Sequence, residues 1–218
     1  MKKILISFSI VGVVAAVAIG GTIAYFSDVE TSTGNTITAG VLELEIRDQD
    51  EGFGNGVTAT WTASDVKPGN QYDFTVPFVG LRKLGTINAD HLEIADDYKV
   101  VEENPCIESD TDCQTNLTPD KMAKEMIITR CEYYDATVIN CLTDPNPDRR
   151  IDDQDGDSKI TFYDLKNDKL DNLPAPGNGF ALGYFEMGVK FAESAGNDFQ
   201  GDIFSLDMIF TLNQDSSQ

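Results

Sequence analysis

Hydrophobic and polar residues alternate with a period of two in several short stretches of the chain. Leu42, Leu44 and Ile46 alternate with charged residues, and a similar alternation runs from 204 to 212. Residues two apart share one face of a strand, so each stretch predicts a half-buried strand. Further strands are predicted at 57–63, 72–78 and 181–191, with Gly- and Pro-rich turns between them. Together these patterns predict a mainly β fold, a β-sandwich.

The middle of the chain, 99–175, has a different pattern. Thr118-Pro119-Asp120 is typical of a helix start, and Met122, Met126 and Ile127 follow at helical spacing as a stripe that would pack on the sheet. A second helix is expected at about 162–170. We therefore predict a helix-containing insertion at 99–175, between two sandwich segments at 41–98 and 176–214.

The first 24 residues have the parts of an export signal. Two lysines precede an apolar run at 4–19, and Thr22 and Ala24 place small residues at positions −3 and −1 of a cleavage site. Cleavage is predicted between Ala24 and Tyr25, which makes the protein secreted. The alternative is an uncleaved membrane anchor, because the apolar run is only just short of spanning length. No other membrane contact is expected.

The charge of the chain excludes some classes of partner. Acidic residues outnumber basic ones by 37 to 16, and the formal net charge is −21. Such a charge repels phosphate backbones, so nucleic acid is not an expected partner. A single histidine excludes any zinc site that needs two or three imidazoles. Acidity is compatible with an extracellular protein and with divalent-cation binding, and it decides neither.

The four cysteines all lie within the predicted insertion, at Cys106, Cys113, Cys131 and Cys141. In an exported chain they predict two disulfides, and three pairings are open. The local pairing, Cys106 with Cys113 and Cys131 with Cys141, requires the least chain closure. A zinc site is the rival interpretation, but the chain has no Cys-x-x-Cys pair. Asn116 begins a glycosylation sequon to which we give little weight, because Pro119 follows it closely.

Several motifs in order resemble the TasA/camelysin family. Residues 20–28 resemble its export-and-cleavage segment, and residues 31–44 resemble its first strand. The turn Val66-Lys67-Pro68-Gly69-Asn70, the stretch 84–92 and the stretch 200–210 are similar to later parts of the family pattern. The matches cover about half of the mature chain. No single one is specific, but their order and spacing together are.

This resemblance implies a jelly-roll-like sandwich, processed by a SipW-type signal peptidase and assembled with copies of itself into extracellular biofilm-matrix fibres or pili. It also implies donor-strand exchange, in which the N-terminus of one subunit completes a sheet of the next. The donor would be 25–40, with Tyr25, Phe26 and Val29 as its sizeable apolar groups. A head-to-tail contact of this kind builds a filament. The alternative is a terminus that frays or pairs within its own chain.

The acidic loop, which we define as residues 153–164, has the spacing of a calcium loop. Counting from Asp153, acids fall at positions one, three, five and twelve. A hard cation needs this density of oxygen ligands, and the spacing resembles dockerin-type EF-hand loops. Ser158 stands where glycine is expected, at a cost of about 1 kcal/mol if φ is positive. The predicted calcium ligands are Asp153, Asp155, Asp157, Lys159 through its carbonyl, Thr161 and Asp164.

Enzymatic activity is not predicted, although camelysin-type proteins carry a metallopeptidase label. The chain has neither His-Glu-x-x-His nor Gly-x-Ser-x-Gly, and its only histidine, His91, is interpreted as a surface or sheet-edge residue. The leading hypothesis is therefore a structural fibre subunit. A monomeric, calcium-dependent adhesion module is the alternative, and a metal-dependent endopeptidase is the third.

Overall fold

The computed structural model describes residues 41–48, 52–56, 66–101, 118–177, 182–195, 199 and 202–214, without the side chains of 74–77. The predicted signal peptide, the donor segment 25–40, the strand at 57–63, Cys106, Cys113 and Asn116 lie outside these residues. Within the described ranges, no helix has the length and hydrophobicity needed to cross a membrane.

Two antiparallel sheets form the described part of the protein. The first has the order β1-β2-β7-β4-β5, and the second has the order β6-β3-β8. This confirms a mainly β fold with two antiparallel sheets, while the jelly-roll connection stays a prediction. The strands are β1 (Leu42–Arg47), β2 (Gln71–Gly85), β3 (His91–Val101), β4 (Met126–Tyr134), β5 (Val138–Asn140), β6 (Leu170–Pro174), β7 (Gly183–Phe191) and β8 (Ile203–Asn213).

The two described helices are shorter than the sequence predicted. Helix α1 (Pro119–Glu125) ends before Met126, which pairs with Phe191 as the first residue of β4. The helical assignment of Met126 and Ile127 was therefore wrong. The β-branched run that begins at Ile127 favours a strand, and pairing with β7 satisfies its backbone. Helix α2 (Phe162–Asn167) ends three residues before the predicted end.

A shared core joins the two sheets. Its largest fully buried side chains include Phe185 of the first sheet and Leu92 of the second. The rings of Phe185 and Phe210 meet edge to face across the core, with centroids 5.7 Å apart. The segment 99–175 contributes to both sheets through β4, β5 and β6, so its strands share this core with the predicted sandwich. That the segment 99–175 is a separate insertion stays a prediction.

Cys131 lies on β4, opposite Cys141, which directly follows the last residue of β5. The N–H of Cys141 donates to the carbonyl of Cys131 at 2.8 Å, and both side chains are fully buried. They are free thiols in the structure, so the predicted disulfides are not confirmed. Burial, together with the neighbouring Cys141, raises the pKa of the Cys131 thiol.

The edge strands β1 and β8 are less completely covered than the central strands. Among the described residues, β8 pairs only with β3 and β1 only with β2, and the two edge strands contact one another. No residue of β8 is fully buried, whereas most of β7 is. The inward residues of β8 are only half-buried: Phe204, Leu206, Met208, Phe210 and Leu212. One side of the core, which we call its open side, is therefore bordered by β1 and β8, and among the described residues the outer edge of β1 carries only an isolated bridge between Ile46 and Gly54.

Candidate metal sites and an open sheet edge

The acidic loop brings together three of its predicted ligands. Carboxylate oxygens of Asp153, Asp155 and Asp164 lie within 4.8 Å of one another. The loop is fastened to β4 because the N–H of Ile128 donates to the carbonyl of Ile160 at 2.7 Å. Ile160, at position eight of the loop, also packs against the core.

Backbone N–H groups hold the carboxylate of Asp153 at the start of the loop. Gly156 donates to its Oδ1 at 2.7 Å, and Ser158 donates to its Oδ2 at 2.8 Å. These bonds, that of Ser158 foremost, hold the pKa of Asp153 below its ordinary value. Ser158 has a φ of 68°, the left-handed conformation expected at this position.

Asp164 closes the loop from the first turn of α2. Its Oδ2 accepts bonds from the N–H and the hydroxyl of Thr161, at 2.8 and 2.7 Å, and its Oδ1 accepts from the N–H of Gln154 at 2.8 Å. Asp164 is 1 % exposed. This buried carboxylate therefore caps the helix and also ties the loop's two ends together.

The remaining predicted ligands have other partners in the structure. Asp157 Oδ2 lies 3.1 Å from the ammonium of Lys159, and the Thr161 hydroxyl is bonded to Asp164. A second ammonium, that of Lys124, lies 3.0 Å from Asp155 Oδ2. Two lysines therefore neutralise part of the charge that the carboxylates concentrate here.

A second group of ligand-type residues was missed by the sequence analysis. The His91 cluster, which we define as His91, Glu93 and Asp171, presents one ligand atom from each residue within 4.8 Å of the others. Nε2 of His91 lies 3.0 Å from Asp171 Oδ1 and 3.6 Å from Glu93 Oε1. His91 is 4 % exposed and lies on β3, the central strand of its sheet. Its interpretation as a surface or sheet-edge residue was therefore wrong.

A β-bulge brings Asp171 to the other two residues. The register between β3 and β6 shifts between Leu92 and Ile94, which leaves an extra residue on β6. Asn172 has a φ of 54° at this point. Bulges re-aim side chains, and here the bulge places Asp171 opposite Glu93. The period-two pattern of β3 could have shown that His91 and Glu93 share a face, but nothing local indicates Asp171.

The groups around the cluster fix its orientation. Asp90 Oδ2 lies 3.4 Å from Nδ1 of His91, and Asn213 Nδ2 lies 3.2 Å from its Nε2. Lys169 Nζ lies 2.8 Å from Glu93 Oε2. Burial raises the pKa of Glu93, but the hydrogen bond and charge of Lys169 outweigh it and hold that pKa below its ordinary value.

A family model described as "Camelysin metallo-endopeptidase" matches residues 1–218. The chain belongs to the camelysin family. The family includes secreted matrix fibre proteins as well as proteins named as metalloproteases, so membership leaves the activity of this camelysin-family chain open. No curated protein matches the chain.

Proposed function

We propose that this camelysin-family protein is a secreted structural subunit that polymerises into extracellular fibres by donor-strand exchange. The observation that supports the proposal most is the open side of the core between β1 and β8. The inward side chains of β8 are half-buried, and within the described residues its outer edge has no strand partner. An added strand would bury these side chains and pair the free backbone groups.

The proposed occupant is the segment 25–40 of a neighbouring copy. Tyr25, Phe26 and Val29 supply the apolar groups that an incompletely covered core would take, and the polar residues after them suit an exposed outer face. Donation to the next copy repeats without closing and so gives a filament. The protein is in this proposal a structural subunit rather than an enzyme.

Electron microscopy of two secreted forms tests donor-strand exchange. Protein that begins at Tyr25 should form filaments, and protein that begins at Ala39 should stay monomeric. A synthetic peptide of residues 25–40 should raise the Tm of the shortened form, because it fills the open edge. Replacing Tyr25 and Phe26 with serine should prevent filaments, and Glu30→Gln is the matched control. Filaments from the shortened form would contradict the proposal.

We also propose that the acidic loop binds calcium and thereby orders the segment around α2. Its support is the convergence of Asp153, Asp155 and Asp164 on one point. Titration calorimetry with Ca²⁺ tests this: Asp155→Asn should weaken binding, whereas Asp152→Asn should not, since Asp152 pairs with Arg150 at 2.7 Å. Equal binding by both variants would remove the loop from consideration.

A metal-dependent endopeptidase is the second candidate, favoured by the family description and the His91 cluster. Cleavage of casein that is lost on chelation and in His91→Ala would support it. A monomeric, calcium-dependent adhesion module is the remaining alternative. It would be favoured if both forms stay monomeric at every calcium concentration while surface binding requires calcium.

A further inference from the structure

Three ligand atoms converge on the face of β3 that points away from the core. His91 and Glu93 come from β3, and Asp171 comes from the bulge of β6. Two ligands of a tetrahedral zinc ion, with bonds of about 2.0–2.2 Å, stand roughly 3.3–3.6 Å apart. Of the separations between Nε2 and the two carboxylate oxygens, 3.6 Å lies within this range and 3.0 Å lies just below it. The spacing of the cluster therefore fits a metal ion with little rearrangement.

The hydrogen bonding of His91 leaves its metal-binding nitrogen directed at the two carboxylates. Asp90 Oδ2 lies 3.4 Å from Nδ1 and is placed to accept the ring proton in the tautomer that is protonated there. In that tautomer, Nε2 carries a lone pair that faces Asp171 and Glu93. A carboxylate on the far nitrogen is the arrangement that orients histidine ligands in zinc sites. A lone pair facing two carboxylates is unfavourable unless a cation lies between them.

The neighbours of the cluster accommodate an ion. Asn213 Nδ2 lies 3.2 Å from Nε2, so in that tautomer the amide would donate to the lone pair when no ion is present. Rotation of this amide by half a turn would present its oxygen instead, as a further ligand. Lys169 holds Glu93 by its Oε2 at 2.8 Å, which leaves Oε1 directed toward His91. The nearest ammonium therefore orients one ligand and leaves its coordinating oxygen available.

We propose that His91, Glu93 and Asp171 form a zinc-binding site separate from the acidic loop. One imidazole with two carboxylates suits Zn²⁺, whereas Ca²⁺ prefers oxygen ligands alone. A bound ion would join β3 to β6, and through Asn213 it would also hold the end of β8. The site needs no residue of the segment 25–40, so this proposal stands or falls independently of filament assembly.

The single histidine of the chain makes the test direct, because ¹⁵N NMR of the secreted protein shows only one imidazole. Zn²⁺ should shift the Nε2 resonance strongly and raise the Tm, with one ion bound per chain by calorimetry. Ca²⁺ at the same concentration should leave the Nε2 resonance in place. These readouts do not depend on any enzymatic activity.

Variants of the carboxylates show whether the whole cluster binds the ion. Glu93→Gln and Asp171→Asn should each weaken zinc binding about 10–100-fold, and Asp90→Asn should weaken it by a smaller factor within that range. Asp97→Asn is the matched control, because Asp97 lies on the same strand but pairs with Lys166 at 2.7 Å. His91→Ala should abolish the site, and the two carboxylate variants keep the test valid if that protein does not fold.

Two results would overturn the proposal. An Nε2 resonance that does not move at millimolar Zn²⁺ would show that His91 and Asp171 form only a structural hydrogen bond. A shift of the wild-type resonance that both carboxylate variants reproduce at the same zinc concentration would show coordination by the imidazole alone.

Discussion

The acidic loop and the His91 cluster each gather three ligand-type residues, but their carboxylates have different proportions of backbone and side-chain partners. In the loop, Asp153 and Asp164 accept bonds from backbone N–H groups within ten residues of themselves. In the His91 cluster, the carboxylates are held mainly by the side chains of His91 and Lys169, and one backbone N–H, that of Asn172, donates to Asp171 Oδ1 at 2.6 Å. Backbone bonds therefore dominate in the loop, and contacts between side chains dominate in the cluster.

This difference has a consequence for metal binding. A carboxylate already bonded to backbone N–H groups is fixed in place, and the same bonds occupy some of its lone pairs. A carboxylate that faces an imidazole lone pair gains more from a cation, because the cation removes a repulsion. The comparison thus separates a loop whose carboxylates are held mostly by the backbone from a cluster whose carboxylates meet mostly other charged side chains.

The largest expected effect is a difference in stability between variants of the loop and variants of the cluster, measured without any metal. In the presence of a chelator, Asp164→Ala should lower the free energy of unfolding by about 2–4 kcal/mol, because it removes three bonds from a buried carboxylate. Asp171→Ala should lower it by less than about 1 kcal/mol, since Asp171 is partly exposed. Urea denaturation measures both, with Asp152→Ala as the control. Equal losses at both positions would remove the distinction between the two regions.

The next effect concerns the strand that supports the loop. In the secreted protein, we predict that Cys131 and Cys141 are joined, since they face each other between the loop's support β4 and the end of β5. Peptide mapping without reduction identifies the linkage. Reduction should then cost about 2–3 kcal/mol of stability, the value for a closed loop of this length. A pairing of either residue with Cys106 or Cys113 would contradict this prediction.

Asp96, which belongs to neither region, shows how burial changes the pKa of a carboxylate that lacks hydrogen-bond partners among the described residues. Asp96 lies on the core side of β3, 5 % exposed, and neither of its oxygens has a hydrogen-bond partner within the described structure. Burial raises its pKa to about 7, against the attraction of the Lys166 charge. Between its ordinary pKa and 7, the unfolded chain binds fewer protons than the folded protein, so stability falls as pH rises through this range.

Asp96→Asn should therefore stabilise the protein by about 1–3 kcal/mol at pH 8, because the unfavourable buried charge is gone. The gain should shrink as the pH is lowered toward 4, where the folded wild type carries a neutral carboxyl. Thermal unfolding at a series of pH values measures the difference, and Asp207→Asn, at an exposed position of β8, is the control. A gain that does not change with pH would show that ionisation of Asp96 is not its cause.

The smallest effect sharpens the account of the loop. Ser158→Gly should raise stability by up to about 1 kcal/mol, because glycine adopts a φ of 68° without strain. Calcium affinity should rise with it if the loop is the calcium site. Thermal unfolding and calorimetry measure the two quantities. Loss of stability would mean that the greater entropy of glycine in the unfolded chain outweighs the relief of strain.

The sequence by itself determined the features that depend on local spacing. Alternation predicted β1, the first half of β2 and β8, and the loop spacing predicted both the convergence of Asp153, Asp155 and Asp164 and the conformation of Ser158. These features lie within a few residues of one another, so the backbone has few ways to arrange them. The family motifs, which are also local, identified the camelysin family.

Only the tertiary structure decided the rest. The end of α1 at Glu125 depends on pairing between β4 and β7, which are more than fifty residues apart along the chain. The His91 cluster depends on a bulge that brings Asp171 beside β3. Neither partner is visible from local periodicity, because a strand's neighbours and register are chosen by the core that the whole chain buries.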